Sequence, residues 1–215
     1  DRQKQRLFQR PEKINWLSEL PENFIGIILA NEVLDAMPID LIVQRNGAWH
    51  YKNVGFAKTE QNTSEQFVFC DGLRVEDSLL PTQLQKEDFP EGYTTEIHSN
   101  GNAWINSLAE LLKKGLLLTF DYGFPAHEYY HLQRGQSTLM GHYRHHTIQD
   151  PFFYPGLCDL TAHVEWSTIT QSAIDHGFDF LGYTSQASYL LNAGIGELAL
   201  TYADPRDAVS FMPIS

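Results

Sequence analysis

Residues 24–32 read Phe-Ile-Gly-Ile-Ile-Leu-Ala-Asn-Glu, an unbroken apolar run that ends on two polar residues. A run without polar alternation is typical of a strand that is buried on both faces of a parallel sheet. Leu116–Phe120 is a second run of this kind, and it ends on Asp121-Tyr122-Gly123. The two runs predict neighbouring parallel strands whose carboxyl ends lie at one edge of the sheet.

Helical patterns separate and follow these strands. In Ala103–Lys114 the apolar residues recur at helical spacing, and Gly115 predicts the end of that helix. The other predicted elements are helices at residues 2–9, Ser167–His176 and Ala187–Leu191 and a strand at Phe178–Tyr183. Because helix and strand alternate along the chain, we predict an α/β fold.

A β-rich segment interrupts this pattern. Ile39–Val43 and Trp49–Phe56 flank an Asn46-Gly47 pair, which supplies the positive φ angles of a tight hairpin turn. Phe67–Phe69 predicts a third strand. We therefore divide the chain into a core part at 1–38, a β-rich and loop insertion at 39–97, and a second core part at 98–215.

The composition excludes several classes of protein. The chain of 215 residues has 27 Asp and Glu against 15 Lys and Arg, a formal net charge of −12, so nucleic acid is not an expected partner. Its longest apolar runs are far shorter than the ~20 residues that cross a bilayer, which predicts no membrane span. Cys70 and Cys158 lie far apart without metal-ligand spacing, and a reducing compartment fits them best.

Polar residues gather where the two buried strands meet their loops. They are Asn31, Glu32 and Asp35 after the first strand and Asp121 and Tyr122 after the second. Two later segments, 134–146 and 155–164, are too polar and glycine-rich for a core and too rich in His, Arg and Tyr for a neutral linker. We interpret these segments as walls of a functional site.

Four strings in fixed order carry a resemblance to a known family. They are Ala-Asn-Glu-Val-Leu-Asp-Ala-Met-Pro at 30–38, Asp-Tyr-Gly at 121–123, and the segments 129–146 and 155–166. In these strings the chain resembles the MidA-like S-adenosylmethionine-dependent methyltransferases, a family of protein arginine methyltransferases whose mitochondrial member assists assembly of respiratory complex I. Four long strings in order are far more specific than a lone glycine motif.

The resemblance implies a partial Rossmann-like class I methyltransferase fold with a β-hairpin insertion. It implies S-adenosylmethionine as the methyl donor and a protein substrate, such as a respiratory complex subunit, in the bacterial cytoplasm or, for a eukaryotic chain, the mitochondrial matrix. In this family an upstream strand leads into a Gly-x-Gly loop, and a further strand ends in an acid for the ribose; neither precedes Phe24 here. We therefore expect a fragment that lacks the N-terminal cofactor-binding strands and is inactive alone.

Residue roles follow from this resemblance and from the chemistry of arginine. Because arginine stays charged at every physiological pH, carboxylates must hold its guanidinium group. The predicted catalytic residues are Glu32 and Asp35, with His145 or His163 as proton acceptor. The predicted cofactor-binding residues are Asn31, Glu32 and Asp121. The predicted substrate-binding residues are Tyr122, Arg134, His142, Tyr143, Arg144 and Asp159.

Simpler explanations of these residues stay open. Asn31 and Glu32 equally suit the start of a helix, and Asp35 equally suits a turn. Arg134 and Arg144 equally suit pairing with the many acidic residues of the chain. Each of these roles would be structural and would require no ligand.

Two other functions also stay open. One is a partner-binding module on a methyltransferase fold, and the other is a His-rich metal-dependent hydrolase. The histidines bring neither an HExxH pattern nor paired cysteines, so we expect no metal site. Without the upstream strands, the Phe24–Ala30 strand presents an open edge, and we expect either self-association there or cover by a rearranged N-terminal helix.

Overall fold

A computed structural model of the chain describes residues 13–59, 62–86, 88–144 and 146–202, without the side chains of 59, 62–64 and 202. The helix predicted at residues 2–9 and the candidate His145 lie outside the described residues. The chain divides into two compact units, Asp1–Asp179 and Phe180–Ser215. Each unit is described by itself below.

The first unit alternates strands with short helices. Its strands are β1 Phe24–Asn31, β2 Asp40–Arg45, β3 Ala48–Thr59, β4 Asn62–Arg74, β5 Thr94–Ile97, β6 Leu112–Phe120, β7 Gly123–Phe124, β8 Met140–Tyr143, β9 His146–Ile148, β10 Asp159–Thr161 and β11 Val164–Glu165. Its α-helices are α1 Thr82–Lys86, α2 Ser99–Leu111, α3 Ala126–Tyr129 and α4 Trp166–Asp175. The mixed α/β class predicted from the sequence is confirmed.

The two apolar runs form neighbouring parallel strands, as predicted. β1 pairs with β6 in parallel, from Phe24 opposite Leu112 to Asn31 opposite Phe120. The prediction that Gly115 ends a helix is wrong, because α2 ends at Leu111 and β6 begins at the next residue. Gly115 instead lies in β6 opposite Gly26, where an added Cβ would come 1.8 Å from the Gly26 carbonyl oxygen. Glycine at this position permits the close approach of the two strands.

The prediction that β1 is buried on both faces is wrong. Ile25, Ile27 and Leu29, which share one face of the strand, are 67%, 68% and 64% exposed. No described strand pairs with the second edge of β1, since its sheet consists of β1 and β6 alone in the described residues. An apolar run in the sequence therefore does not show that both faces of the strand are covered within the same chain.

The predicted insertion forms a four-stranded antiparallel sheet in the order β4-β3-β2-β5. The hairpin prediction is confirmed, because Asn46 and Gly47 turn the chain between β2 and β3 with φ angles of 51° and 77°. The third strand is confirmed as β4, which pairs with β3. β5 was not predicted; it pairs with β2 and leads into α2, and so it connects the insertion to the parallel strands.

Two smaller sheets complete the unit. β7 and β11 form a parallel pair, and β8 lies between β9 and β10 in a three-stranded antiparallel sheet. The strand predicted at Phe178–Tyr183 is wrong, since no regular element forms there and Phe180 and Leu181 are 55% and 79% exposed. This apolar segment is therefore irregular and forms no strand pair among the described residues.

The core of the first unit consists of two clusters. One lies on the insertion sheet and includes Ile42, Trp49, Tyr129 and Tyr130. The other lies between α2 and the parallel strands and consists of Leu34, Ile105, Val164 and Ile169. Leu34 lies between Glu32 and Asp35 in the chain, so this second cluster anchors the segment that carries these acids.

The second unit contains two helices in its described part. The helix predicted at Ala187–Leu191 is confirmed as α5 Gln186–Asn192, and α6 Ile195–Tyr202 follows it. The Ser185 side chain accepts a hydrogen bond from the Ser188 N–H, which caps the first turn of α5.

Candidate active site

Asp121 connects the carboxyl ends of β1 and β6. Its Oδ2 atom accepts hydrogen bonds from the backbone N–H groups of Val33, Leu34 and Asp35 at 3.1, 2.9 and 3.2 Å. The Glu32 N–H also donates to the Phe120 carbonyl at 2.8 Å. Because one carboxylate oxygen binds three successive N–H groups, the turn after β1 is fixed against the end of β6.

Asp35 is the most enclosed acid of this site. It is 7% exposed, and its Oδ1 atom is buried without a hydrogen-bond partner in the described part of the chain. Burial raises the pKa of Asp35, and the neighbouring charges of Asp121 and Glu32 raise it further. An unpartnered buried carboxylate oxygen is costly, so a cationic donor placed here would be strongly favoured.

Glu32 and Tyr122 form the exposed side of the same strand ends. Glu32 has a positive φ of 51°, and its Oε1 atom accepts a hydrogen bond from the Tyr122 hydroxyl at 3.2 Å. The negative charge of Glu32 raises the pKa of Tyr122. Asn31 is exposed and pairs with Phe120 as the last residue of β1. Three of the predicted acids, Glu32, Asp35 and Asp121, thus converge at one edge.

The chain segment after β10 closes the site from another side. The Ala162 N–H donates to the Asp35 carbonyl at 2.9 Å, and the Val164 N–H donates to the Tyr122 carbonyl at 2.7 Å. Both bonds place His163 beside the acids. Burial lowers the pKa of His163, the Arg134 charge lowers it further, and the Asp121 charge opposes the change. His163 is therefore neutral near pH 7, and its buried Nδ1 has no hydrogen-bond partner among the described residues.

Arg134 and the β8–β10 sheet lie around this centre. Arg134 stacks over the Phe124 ring at 4.0 Å and forms an ion pair with Glu128 at 3.3 Å, so its simpler explanation as a paired cation has direct support. The His142 Nε2 atom lies 3.1 Å from the Thr161 hydroxyl.

Of the other three substrate-binding candidates, Tyr143 and Asp159 lie in the same small sheet, and Arg144 directly follows β8. Arg144 lies over the Tyr143 ring at 5.4 Å, and Asp159 is exposed in β10 opposite His142. None of these three, nor His142, has a described contact with the strand-end acids. Their role in substrate binding stays a prediction.

Glu96 is a central residue that the sequence did not reveal. Although it is fully buried, it accepts hydrogen bonds from the Thr138 and Leu139 N–H groups, and the Tyr129 hydroxyl lies 3.0 Å from its Oε2 atom. The Thr138 hydroxyl in turn accepts from the His163 N–H at 2.9 Å. Glu96 thereby positions His163 through Thr138. The sequence around it, Tyr-Thr-Thr-Glu-Ile-His at 93–98, is typical of a strand and contains no pattern that indicates a functional acid.

The residues present suit a cationic ligand better than a metal ion. Within the described ranges, no group of three or more His, Cys, Asp or Glu is arranged to hold a metal. The exposed carboxylate of Glu32 and the buried, unpartnered Oδ1 of Asp35 suit a sulfonium, an ammonium or a guanidinium group. In the Gly194-Ile195-Gly196 sequence, Gly194 lies in the turn after α5 and the other two residues begin α6, so no strand precedes it and it does not match a cofactor-binding glycine loop.

Two parallel strands carry an acidic crevice at their carboxyl ends. This arrangement is typical of α/β proteins that bind a ligand at the carboxyl edge of a parallel sheet. A family profile described as "Putative S-adenosyl-L-methionine-dependent methyltransferase" matches residues 1–184. Since this match covers most of the chain, the protein belongs to that family. No helix in the described ranges is long and apolar enough to span a membrane.

Individual relatives agree with this assignment. A crystal structure of a Burkholderia thailandensis protein bound to S-adenosyl-homocysteine superposes with a TM-score of 0.86 at 42% identity, over 99% of this chain and 54% of that one. The zebrafish protein arginine methyltransferase NDUFAF7, mitochondrial, is 28% identical over 88% of this chain and 42% of its own length. The Drosophila melanogaster homologue is 25% identical over 75% of this chain and 35% of its own. The chain thus spans about half the length of the solved relative and less than half the length of the other two proteins.

Proposed function

We propose that this chain carries the substrate-facing part of an S-adenosylmethionine-dependent methyltransferase that acts on an arginine of a partner protein. The observation that carries the proposal is the convergence of Glu32, Asp35 and Asp121 at the carboxyl ends of β1 and β6. Membership of the methyltransferase family supports the reaction class. The name of the zebrafish relative, a protein arginine methyltransferase, supports the target.

The acids would hold and orient the target rather than exchange protons with it. Methyl transfer needs the nucleophilic nitrogen placed in line with the methyl carbon that S-adenosylmethionine supplies, so positioning dominates the chemistry. Glu32 and Asp35 would bind the guanidinium of the target, which stays charged at neutral pH. Asp121, whose Oδ2 atom is already bound to three N–H groups, would hold the turn. Neutral His163 would accept the proton that the guanidinium loses when it is methylated.

The cofactor-binding roles remain part of the proposal. Of Asn31, Glu32 and Asp121, only Asn31 and Glu32 are exposed, and Glu32 also accepts a hydrogen bond from Tyr122. Both carboxyl oxygens of Asp121 already accept hydrogen bonds from backbone N–H groups. We expect this chain alone to bind S-adenosylmethionine weakly and to transfer no methyl group. Calorimetric titration with the cofactor measures this, and a micromolar Kd, worth ~8 kcal/mol, would contradict it.

Binding of matched peptides tests the arginine proposal directly. An acetylated, amidated peptide with one arginine should bind this chain at least about tenfold more tightly than the same peptide with neutral, isosteric citrulline, because charged hydrogen bonds are the stronger ones. Asp35→Asn and Glu32→Gln should each reduce that ratio. Equal binding of the two peptides to the unchanged protein would refute a guanidinium site.

A partner-binding module without catalysis is the second candidate. The exposed apolar face of Ile25, Ile27 and Leu29 and the unpaired edge of β1 in the described residues favour it. Such a face would bind a second copy of the chain or a partner protein, for which the family resemblance suggests a respiratory complex subunit. Binding of a partner that persists when Glu32 and Asp35 are both neutralised would favour this role. The cellular site, bacterial cytoplasm or mitochondrial matrix, follows the same resemblance.

A further inference from the structure

A groove opens beside Asp35, between the insertion sheet and the segment 151–162. Its cavity has a volume of about 540 Å³, which lies within the range of pockets that hold a small ligand or several side chains. Val54, Phe67 and Phe69 of β3 and β4 form one wall. Phe152 and Leu160 line the groove from the other segment. We call this cavity the flanking groove.

The flanking groove is mostly apolar and contains two charged residues. Asp35 and Lys52 are the only charged side chains among its described lining residues. Asp35 is more than nine-tenths buried and keeps Oδ1 without a partner, whereas the Lys52 ammonium lies 4.9 Å from the centre of the Phe69 ring. Asp35 therefore favours a cation in the groove, and the positive charge of Lys52 disfavours a second cation there.

We propose that the flanking groove binds the apolar residues next to a single cationic side chain in an extended segment of a protein substrate. The proposal rests on the proposed function, since the cation held by Asp35 is the methylation target. It adds a sequence preference: one cation followed by large apolar or aromatic residues, without a second basic residue beside them.

Charge and shape favour a peptide over other occupants. An anionic lipid or phosphate would meet Asp35 and the −12 net charge of the chain. A wholly apolar molecule would leave the Asp35 oxygen unpaired. A peptide with a cation and adjacent apolar side chains satisfies both the acid and the aromatic walls at once.

Four acetylated, amidated peptides test the proposal by calorimetry with the unchanged chain: Gly-Arg-Leu-Phe-Gly, Gly-Arg-Ser-Ser-Gly, Gly-citrulline-Leu-Phe-Gly and Gly-Lys-Leu-Phe-Gly. The Arg-Leu-Phe peptide should bind about tenfold or more tightly than the Arg-Ser-Ser peptide, because burial of two large apolar side chains favours binding. Equal affinity for these two would overturn the groove proposal while leaving an arginine site intact.

The other two peptides separate the groove from the proposed function. If the citrulline peptide binds as well as the arginine peptide, the guanidinium site is refuted, and the proposed cation at Asp35 with it. If the lysine peptide binds equally well, the groove proposal is supported and arginine as the target is refuted. Displacement of the Arg-Leu-Phe peptide by S-adenosyl-homocysteine would show that the groove is a cofactor site and would overturn the proposal.

A matched pair of surface variants places the binding. Phe67→Ser, in the groove wall at 38% exposure, should abolish most of the preference for Leu-Phe over Ser-Ser. Leu73→Ser, on the same strand β4 but 84% exposed and outside the groove lining, should leave it unchanged. Because both residues are partly or mostly exposed, neither change should unfold the sheet, and thermal melting checks this. An equal effect of the two variants would overturn the location.

Discussion

Removal of the Asp121 carboxylate should loosen the turn that carries Glu32 and Asp35. In Asp121→Ala the N–H groups of Val33, Leu34 and Asp35 lose their common acceptor. A hydrogen bond to a charged group contributes about 1.5–3 kcal/mol, but Asp121 is only half-buried and water replaces part of the loss. The variant also removes the charge repulsion between Asp121 and Asp35, which raises the pKa of Asp35, and this offsets a further small part of the lost stability. The expected loss of unfolding free energy is about 2–4 kcal/mol.

The conservative change at this position should cost less. Asp121→Asn keeps one acceptor for the three N–H groups but turns an N–H₂ group toward the Tyr122 N–H, which the Oδ1 atom now binds at 2.9 Å. We expect a loss of about 1–2 kcal/mol for this variant.

Urea denaturation of both variants beside Asp88→Ala gives the measurement. Asp88 is exposed, and no described residue forms a hydrogen bond with its side chain, so its removal should change the unfolding free energy by less than about 0.5 kcal/mol. The two Asp121 variants should also show a smaller preference for the arginine peptide over the citrulline peptide, because Asp35 loses its fixed position. If Asp121→Ala is as stable as Asp88→Ala, the three hydrogen bonds do not hold the turn and the proposed site lacks its frame.

Three further predictions concern other parts of the molecule. Burial lowers the pKa of His98 to about 4, so as the pH falls below ~6.5 the unfolded chain binds a proton before the folded chain does. The free energy of unfolding should therefore decrease by up to about 1.4 kcal/mol per pH unit. Urea titrations at pH 7, 6 and 5 should show a smaller decrease in His98→Gln. Glu165, which is 1% exposed, accepts from the N–H groups of Ser167 and Thr168 at the start of α4, so Glu165→Ala should cost about 2 kcal/mol in urea denaturation. The open edge and apolar face of β1 should cause self-association, seen as a mass that rises with concentration in light scattering and falls to the monomer in Ile27→Lys.

Each of these three has a clear contrary result. Equal pH slopes for the unchanged chain and His98→Gln would show that another group causes the acid sensitivity. Glu110→Ala, an exposed site on α2, is the control for Glu165, and equal losses would remove the capping role. A chain that stays monomeric at every concentration would contradict association through β1.

The parallel pairing of β1 with β6 was predictable because it depends on local sequence. Each strand is an apolar run that ends in acids, and both signals lie within about ten residues. The Asn46-Gly47 hairpin was predictable for the same reason, since the turn type requires those residues. The burial of β1 was not, because the coverage of Ile25, Ile27 and Leu29 depends on surfaces that a run of apolar residues does not specify.

The candidate site was predictable in its members but not in their division of tasks. Strand-end position alone selected Glu32, Asp35 and Asp121, and the structure brings all three together. The Asp121 carboxylate accepts hydrogen bonds from backbone N–H groups that lie 86 to 88 residues earlier in the chain. No local sequence pattern encodes that pairing, so the sequence does not reveal which acid keeps an unpartnered oxygen.

Glu96 shows why part of such a site stays hidden from sequence. A glutamate inside a short strand has the same local signal whether it faces solvent or accepts hydrogen bonds from the segment at 138–139 in the interior. Asp121 and Glu96 both use their carboxyl oxygens to accept hydrogen bonds from backbone N–H groups of the same chain. Asp121 fixes the turn with Asp35, and Glu96 fixes, through Thr138, the segment with His163. Asp35 and His163 are the two residues left with buried, unpartnered polar atoms among the described site residues. Two acids thus build the frame, and the two groups with unpartnered atoms are the ones that we propose for contact with the substrate.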